Sequence, residues 1–262
     1  MSAPDQPFVL REDRDGISTV VMNRGDRFNP LSASMIAALI ETLDTIARDT
    51  SVRAVILKGG GRGFCAGHDL KEMQANRTDA WFKAMFDSCS DLMLRITQLP
   101  QPVIAQVHGI ATAAGCQLTA MCDLAVAASD ARFALPGVNV GLFCSTPAVG
   151  VARNIGRKRV MEMLLTGEPI SAETALEWGL VNRVVPADRL EAETRHLAER
   201  IASKSAAVVA MGKQAFYQQL DKSLAGAYAL TGETMTCNMR LDDNREGIDA
   251  FLNKRHPEWR HR

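Results

Sequence analysis

Charge of one sign is what this chain most plainly lacks. Thirty lysines and arginines stand against 30 aspartates and glutamates, so 30 − 30 leaves a formal net charge of zero. The broad positive field that wholesale nucleic-acid binding needs is missing, and an anionic ligand has to be met by a local group of cations. Long apolar runs are missing as well. The stretch around Leu118 to Ala128 is broken by Asp123 and falls short of the roughly 18 residues of a membrane span. Neither a nucleic-acid nor a membrane partner is expected. Cysteines at 65, 89, 116, 122, 144 and 237 are scattered, with no Cys-x2-Cys pair, which excludes the usual zinc spacings and a dense disulfide framework. Reduced, mostly buried thiols and no bound metal are the expectation. The opening MSAPDQPFVLRED carries three acids and no apolar h-region. It reads as neither a secretory signal nor an Arg-rich transit peptide, so a cytoplasmic location is expected.

What is present fits a folded protein of enzyme size: 262 residues, 47% hydrophobic and 23% charged, or one to two domains at about 150 residues each. Short apolar runs at Phe8 to Leu10, Ile17 to Met22, Val52 to Leu57, Pro102 to Val107 and Leu124 to Ala128 read as strands. After the polar lead Asn29-Pro30-Leu31-Ser32, the residues Ile36, Leu39, Ile40, Leu43, Ile46 and Ala47 recur at helical spacing. Strands alternating with helices imply crossover connections and an α/β protein with mostly parallel pairing. Beyond residue 155, Lys158 to Thr166 and Ser171 to Trp178 read as helices, each stopped by a glycine, and Asp188 to Ser203 as a third. No further strong strand appears except Val181 to Val185. Residues 205 to 254 form a helical tail in which Leu224, Tyr228, Thr231, Met235 and Met239 share one face. Such a stripe is core in most proteins, or it buries against another subunit.

Two glycine loops carry the candidate chemistry. Lys58-Gly-Gly-Gly-Arg-Gly-Phe-Cys-Ala-Gly-His-Asp-Leu70 follows the Val52 to Leu57 strand, and His108-Gly-Ile-Ala-Thr-Ala-Ala-Gly-Cys-Gln117 follows the next. The first satisfies a loose dinucleotide fingerprint, but the chain about 20 residues on looks helical and supplies no strand-end acid for a ribose. No Gly-Lys-Ser/Thr follows, which removes a Walker loop. Two backbone N–H donors at two helix starts are able to converge on one oxygen, and each such donor to a developing oxyanion is worth about 10² to 10³ in rate. The alternative is that both loops are tight turns that let helices pack on a sheet. No Gly-x-Ser-x-Gly elbow exists, and Ser145 reads as a loop residue. Cys65-x-x-His68 reads as a buried thiol beside a surface histidine, and Asp69 as a helix N-cap.

These loops, with Met22-Asn-Arg-Gly-Asp-Arg-Phe-Asn-Pro-Leu31, Cys122-Asp-Leu124, Leu165-Thr-Gly-Glu-Pro-Ile-Ser171 and Glu246-Gly-Ile-Asp-Ala-Phe-Leu252, resemble the crotonase superfamily of enoyl-CoA hydratases and isomerases over nearly the whole chain. The resemblance implies the ClpP/crotonase-like α/β fold, a spiral of ββα units over residues 1–204. A C-terminal helical oligomerisation subdomain, residues 205–262, would assemble a trimer or a dimer of trimers. It implies an acyl-CoA thioester as substrate, with coenzyme A as part of that substrate and no further cofactor. The thioester carbonyl would lie between the backbone amides of His68 and Ala114. Arg27 and Leu70, with Ala66 and Asp69, would lie along the nucleotide and pantetheine, and Lys254 or Arg255 would arrive from the C-terminal helix of the same or a neighbouring subunit. For Arg27 and Lys254, a solvated surface charge is an equally open reading.

Hydratases of the superfamily carry two glutamates that move the protons of water, and the matching positions here hold Gln117 and Gly137. An amide accepts no proton near neutral pH and glycine has no side chain, so each loss is expected to cost about 10² to 10⁴ in rate. Ordinary hydration of an enoyl-CoA is therefore not expected. The polar lining that remains is Gln117, Asn139, Cys144 and Ser145, and restoring both glutamates is expected to raise hydration more than either alone. Gly137, following Pro136, is expected to be a turn glycine that a positive φ would hold against substitution.

Overall fold

The computed structural model describes residues 6–261. Strands β1 (Val9–Arg14) and β2 (Ile17–Met22) form an antiparallel hairpin. Its turn places Asp15 and Gly16 at φ 54° and 76°, the two positive values that a type I′ connection demands and an Asp-Gly pair supplies. A 3-10 turn at Gly25–Arg27 leads into α1 (Ala33–Arg48), where the Ser32 hydroxyl accepts from the Met35 N–H at 3.2 Å. Met35, Ile36, Leu39, Leu43 and Ile46 are its buried stripe. Ile40 lies half-buried at the edge of that stripe, and Ala47 is exposed.

The chain continues through β3 (Ala54–Gly59), α2 (Leu70–Ala75), α3 (Asp79–Gln98), β4 (Val103–Val107), β5 (Ile110–Thr112), α4 (Ala114–Met121), β6 (Leu124–Ala128) and β7 (Arg132–Ala134). Then come α5 (Ser145–Val151), α6 (Arg157–Thr166), β8 (Ile170–Ser171), α7 (Ala172–Trp178), β9 (Arg183–Val185) and α8 (Leu190–Ala202). The tail is α9 (Ala206–Gln219), α10 (Leu224–Asn238) and α11 (Asp242–Leu252). Six strands make one sheet in the order β1-β2-β3-β4-β6-β9, parallel at every pair except β1 with β2, and β5-β7-β8 make a second, small sheet. This is the expected α/β arrangement of crossover units.

Burial explains why β3 and β4 read as continuous apolar runs: both faces of the large sheet are covered. Val55, Leu57, Val103, Ala105 and Val107 face the main core under α1, α3 and α4, while Ala54, Ile56, Ile104, Val126 and Ala128 face a second cluster closed by Leu190, Ala198 and Ala202 of α8. Trimming a fully buried residue such as Ile104 to Ala would cost about 2–5 kcal/mol.

Two features differ from the sequence reading, and a third bears on the alternatives it left open for the tail. The strands of the small sheet are two or three residues long, too short to show a period of two, and β5 lies inside what reads as one loop. Ser145 opens α5 rather than lying in a loop, with Pro147 in the first turn, where its missing N–H removes no helical bond. The stripe on α10 is no part of this chain's core, because Leu224, Tyr228, Met235 and Met239 are all exposed and no residue of that helix is buried. By contrast, α9 is pinned to the sheet. Lys213 Nζ donates to the carbonyls of Ile96 and Gln101 and to Asp123 Oδ2 at 2.9, 3.0 and 2.7 Å, and Tyr217 donates to Asp123 Oδ1 at 2.9 Å. The charge that interrupts the Leu118 to Ala128 run thus has its partners. No helix among the described residues is long and apolar enough to cross a membrane.

Candidate functional site

Strands β3 and β4 are parallel neighbours, registered from Val55 with Val103 to Lys58 with Gln106. The two glycine loops therefore leave side by side from the carboxyl edge of the sheet, where open parallel sheets bind their ligands. Backbone bonds stitch them together: Phe64 N to His108 O at 2.9 Å, Cys65 N to Ile110 O and Thr112 N to Cys65 O, both at 3.0 Å. The Thr112 hydroxyl adds a bond to Ala66 O at 3.0 Å. Two glycines allow this approach. A Cβ on Gly115 would stand 2.1 Å from Cys65 O, and one on Gly67, at φ +89°, would stand 2.9 Å from Thr112 O and 3.2 Å from Ala114 N. From the other side Asn29, fully buried, holds the first loop: its Nδ2 lies 2.9, 2.9 and 3.1 Å from the carbonyls of Gly60, Gly63 and Phe64.

At the contact point of the loops, the N–H groups of His68 and Ala114 have no hydrogen-bond partner among the described residues. Ala114 opens α4, and the first N–H of a helix has no intrahelical acceptor. Ala113 before it sits at φ 51°, ψ −118°, its own N–H donating to Ala134 O at 2.9 Å. A non-glycine residue held there stores on the order of 1–3 kcal/mol of strain, a concentration typical of functional turns.

The side chains sort themselves less simply than the spacing suggests. His68 is not a surface histidine: its ring is half-buried, stands edge-on to Phe86 of α3 at 5.6 Å, and buries Nε2 with no partner. Burial lowers its pKa from 6.5 to about 4, so it is neutral at pH 7. Cys65 is fully buried, and desolvation pushes its thiol up to about 12, which removes it as a nucleophile. Gln117 on α4 is buried with Oε1 unpaired, and its stem lies near Gly150 of α5. Gly137 sits in a 3-10 turn, Pro136–Val140, without a positive φ. Space, rather than backbone conformation, is what reserves the position for glycine: a Cβ would stand 2.1 Å from Leu142 O and 2.8 Å from Cys144 Sγ. The Cys144 thiol, buried at the start of α5, accepts a hydrogen bond from the Gly137 N–H, and burial raises its pKa. Ser145 is exposed and turns back to Phe143 O at 3.5 Å. Asn139 is exposed and lies against Gly167 at the end of α6.

Among the residues assigned to coenzyme A, Arg27 and Asp69 form an ion pair at 2.7 Å. Asp69 also caps α2, Oδ1 accepting from the N–H groups of Lys71 and Glu72 at 3.0 and 3.3 Å. Both border a cleft of about 710 Å³ with Arg24, Asp26, Ser32 and Gly61. Leu70 is exposed at the start of α2, and Ala66 donates its N–H to Phe28 O at 2.9 Å. Lys254 and Arg255 do not line that cleft. Lys254 is exposed at φ 53°, and Arg255 is held by Glu246 and Asp249 at 2.6 Å each. Sequence spacing carries no signal for the Asn29 clamp or the unpaired His68 nitrogen, since both arise from contacts between distant segments. Among the described residues no group of three or more His, Cys, Asp or Glu is arranged to hold a metal ion.

A sequence model of the enoyl-CoA hydratase/isomerase family matches residues 12–262. The chain belongs to the enoyl-CoA hydratase/isomerase family. Enoyl-CoA hydratase domain-containing protein 3 of mouse is 47% identical over 260 residues, 99% of this chain and 87% of that protein. The crystal structure of the human protein of that name superposes with a TM-score of 0.94 at 46% identity, covering 97% of this chain and all of that one. An enoyl-CoA hydratase of Mycobacterium smegmatis gives a TM-score of 0.95 at 54% identity, over 97% of this chain and 99% of that one. These likenesses establish the crotonase fold and the similarity to the domain-containing protein 3 relatives. They also correct the expected location. The mouse, human and frog relatives are named as mitochondrial proteins, and the cytoplasmic expectation, which rested on the composition of the opening residues alone, does not stand.

Proposed function

We propose that this protein binds an acyl-CoA thioester with its carbonyl oxygen between the N–H groups of His68 and Ala114, and stabilises the enolate that forms from it. The observation that carries this reading is the pair of unpartnered N–H groups at the junction of two interlocked loops. Donors fixed before the reaction act on a developing oxyanion without reorganising. The cleft beside Arg24 and Arg27 is the local group of cations that a neutral chain needs for a phosphorylated carrier. Asp69, on the lining of that cleft, pairs with Arg27 and caps the start of α2. Oligomerisation through the exposed face of α10 in the 205–262 region is part of the same reading, and it offers a second subunit as the source of a cation such as Lys254.

Hydration is not the reaction this lining favours. Gln117 is an amide, Gly137 has no room for a side chain, and the Cys144 thiol beside it is protonated. That observation supports a second reading, an acyl-CoA-binding or regulatory protein without turnover. Calorimetry with crotonyl-CoA and crotonic acid, beside a hydration assay on the same thioester, tests both. Thioester binding without binding of the free acid, and hydration far below the usual kcat/KM range of about 10⁴ to 10⁸ M⁻¹s⁻¹, are the expected results. Absence of thioester binding overturns the proposal.

A further inference from the structure

Beyond α11 the chain doubles back as a strap, residues 256–261, against that helix and onto the junction of α8 and α9. Asp243, Glu246 and Asp249 lie three residues apart on one face of α11 and receive it. Arg255 pairs with Glu246 and Asp249, and Glu246 Oε1 accepts from the Glu258 N–H at 2.8 Å. Asp243, buried, accepts from the N–H groups of Arg260 and His261 at 2.6 and 2.8 Å. The Trp259 indole donates to Ser203 O at 2.9 Å and lies over Gly247, where a Cβ would stand 3.1 Å from the ring. The last fastening is of another kind: His261, at φ 60°, accepts at Nδ1 from the N–H of Ala206, the first residue of α9, at 3.2 Å. A left-handed backbone at a non-glycine residue persists only where contacts hold it, and the first N–H of a helix has no acceptor within the helix.

We propose that this strap is a pH-sensitive latch: it is docked while His261 is neutral, and protonation of that ring releases residues 259–261 from the α8–α9 junction. The latch stands apart from the acyl-CoA reading. An imidazole accepts a hydrogen bond only at an unprotonated nitrogen. A proton on Nδ1 sets two donors face to face, at the end of α9 where the helix dipole is positive and disfavours a cation. The charged groups facing the ring are Arg53, ahead of β3, which also opposes the charge, and Asp243 of α11, which favours it but whose oxygens the Arg260 and His261 N–H groups already occupy. Burial, with Arg53, holds the pKa of the ring below its ordinary 6.5. The docked state therefore binds fewer protons than the released one, so docking is intact above about pH 6.5 and is lost as pH falls below it. The other fastenings keep their charge there. Against its burial, the bonds from Ser205, Arg260 and His261 keep Asp243 below the usual carboxylate range, and Arg255 with the Glu258 N–H holds Glu246 at about 2. His256, the strap's other histidine, is exposed, and its ring makes no hydrogen bond among the described residues. Release removes Trp259 from the wall of a cleft of about 510 Å³ between α9 and α11, which Val208, Ile248 and Phe251 also line.

Trp259 reports the state of the strap in a full chain that carries Trp81→Phe and Trp178→Phe. Acrylamide quenching of this single tryptophan is expected to rise reversibly, at least about twofold, as pH falls from about 7.5 to about 5, with the helical circular dichroism unchanged. His261→Gln, added to that chain, keeps an acceptor that takes no proton, and its quenching is expected to stay at the neutral-pH value throughout. No rise in the parent chain overturns the proposal. A rise that coincides with loss of the helical signal overturns it as well, and so does an equal rise in the His261→Gln chain. Should glutamine leave the strap undocked at neutral pH, hydrogen-exchange protection of the Ala206 N–H and the Trp259 indole N–H in the unaltered protein decides. Loss of both over the same pH range, with the buried amides of β3 and β4 still protected, supports the latch, and retention of both overturns it.

Discussion

Gly137→Ala is the smallest change that tests why the second glutamate of the hydratases is absent here. The added Cβ would stand 2.1 Å from Leu142 O and 2.8 Å from Cys144 Sγ. The thiol is able to rotate away, but the carbonyl is not, because its own residue closes the turn through Leu142 N to Gly137 O at 2.9 Å, next to Gly141 N to Val138 O at 3.3 Å. Relief therefore requires the turn to open. Overpacking costs about 1–3 kcal/mol, and two backbone bonds add about 1 kcal/mol each, for a total near 4 kcal/mol. At about 2–4 °C per kcal/mol for a chain of this size, Tm should fall by roughly 8–16 °C. Gly212→Ala is the control: this glycine lies in α9 with nothing within 4 Å of a new Cβ, and alanine there should stabilise by up to about 1 kcal/mol. A Gly137→Ala melt within about 2 °C of wild type would refute the steric argument. The same argument withdraws an expectation drawn from sequence: a glutamate at 137 should misfold the turn rather than add to the effect of one at 117.

Three further outcomes follow from the same geometry. Asn29→Ala removes the amide that holds three loop carbonyls, and leaving them buried and unpaired should cost about 2 kcal/mol or more and weaken thioester binding, read by urea melts and calorimetry. Five of the six cysteines are buried and only Cys237 is exposed, so a thiol reagent should label at most one thiol in the native protein and six in denaturant; a second fast thiol contradicts the packing. Burial lowers the His68 pKa from 6.5 to about 4, so the folded state binds fewer protons here than the unfolded one. Its share of stability is intact above about pH 6.5 and is lost as pH falls toward 4, by at most about 3 kcal/mol before solvent screening of the half-buried ring reduces it. Urea melts from pH 7 to 4.5 should show wild type losing more stability than His68→Phe, and parallel curves would refute the assignment.

Much of the frame was legible because it rests on local rules. The stripe from Ile36 to Ile46 made α1, and Gly167 and Gly179 ended two helices in the left-handed conformation, at φ 67° and 90°, as helix stops require. The loops after β3 and β4 were legible as donors because each joins a strand to a helix. What spacing could not convey depends on contacts across the chain. β5, β7 and β8 exist only as each other's partners. Asp123 looked like an interruption until Lys213, 90 residues away, was seen to answer it. Gly137 suggested an unusual φ, while its actual neighbour is a carbonyl five residues on. His68 looked like a surface residue because nothing local reveals that Phe86 covers its ring.

The central claim is that the thioester carbonyl is held by the N–H groups of His68 and Ala114, and removing that oxygen from the ligand tests it most directly. Butyryl-CoA and S-butyl-CoA share the carrier and the chain length and differ in the carbonyl. Two hydrogen bonds at about 1 kcal/mol each predict that calorimetry will find the thioester bound roughly 10- to 30-fold more tightly than the thioether. Equal affinities would contradict the claim, leaving a protein that recognises the carrier and chain but not the group on which chemistry would act.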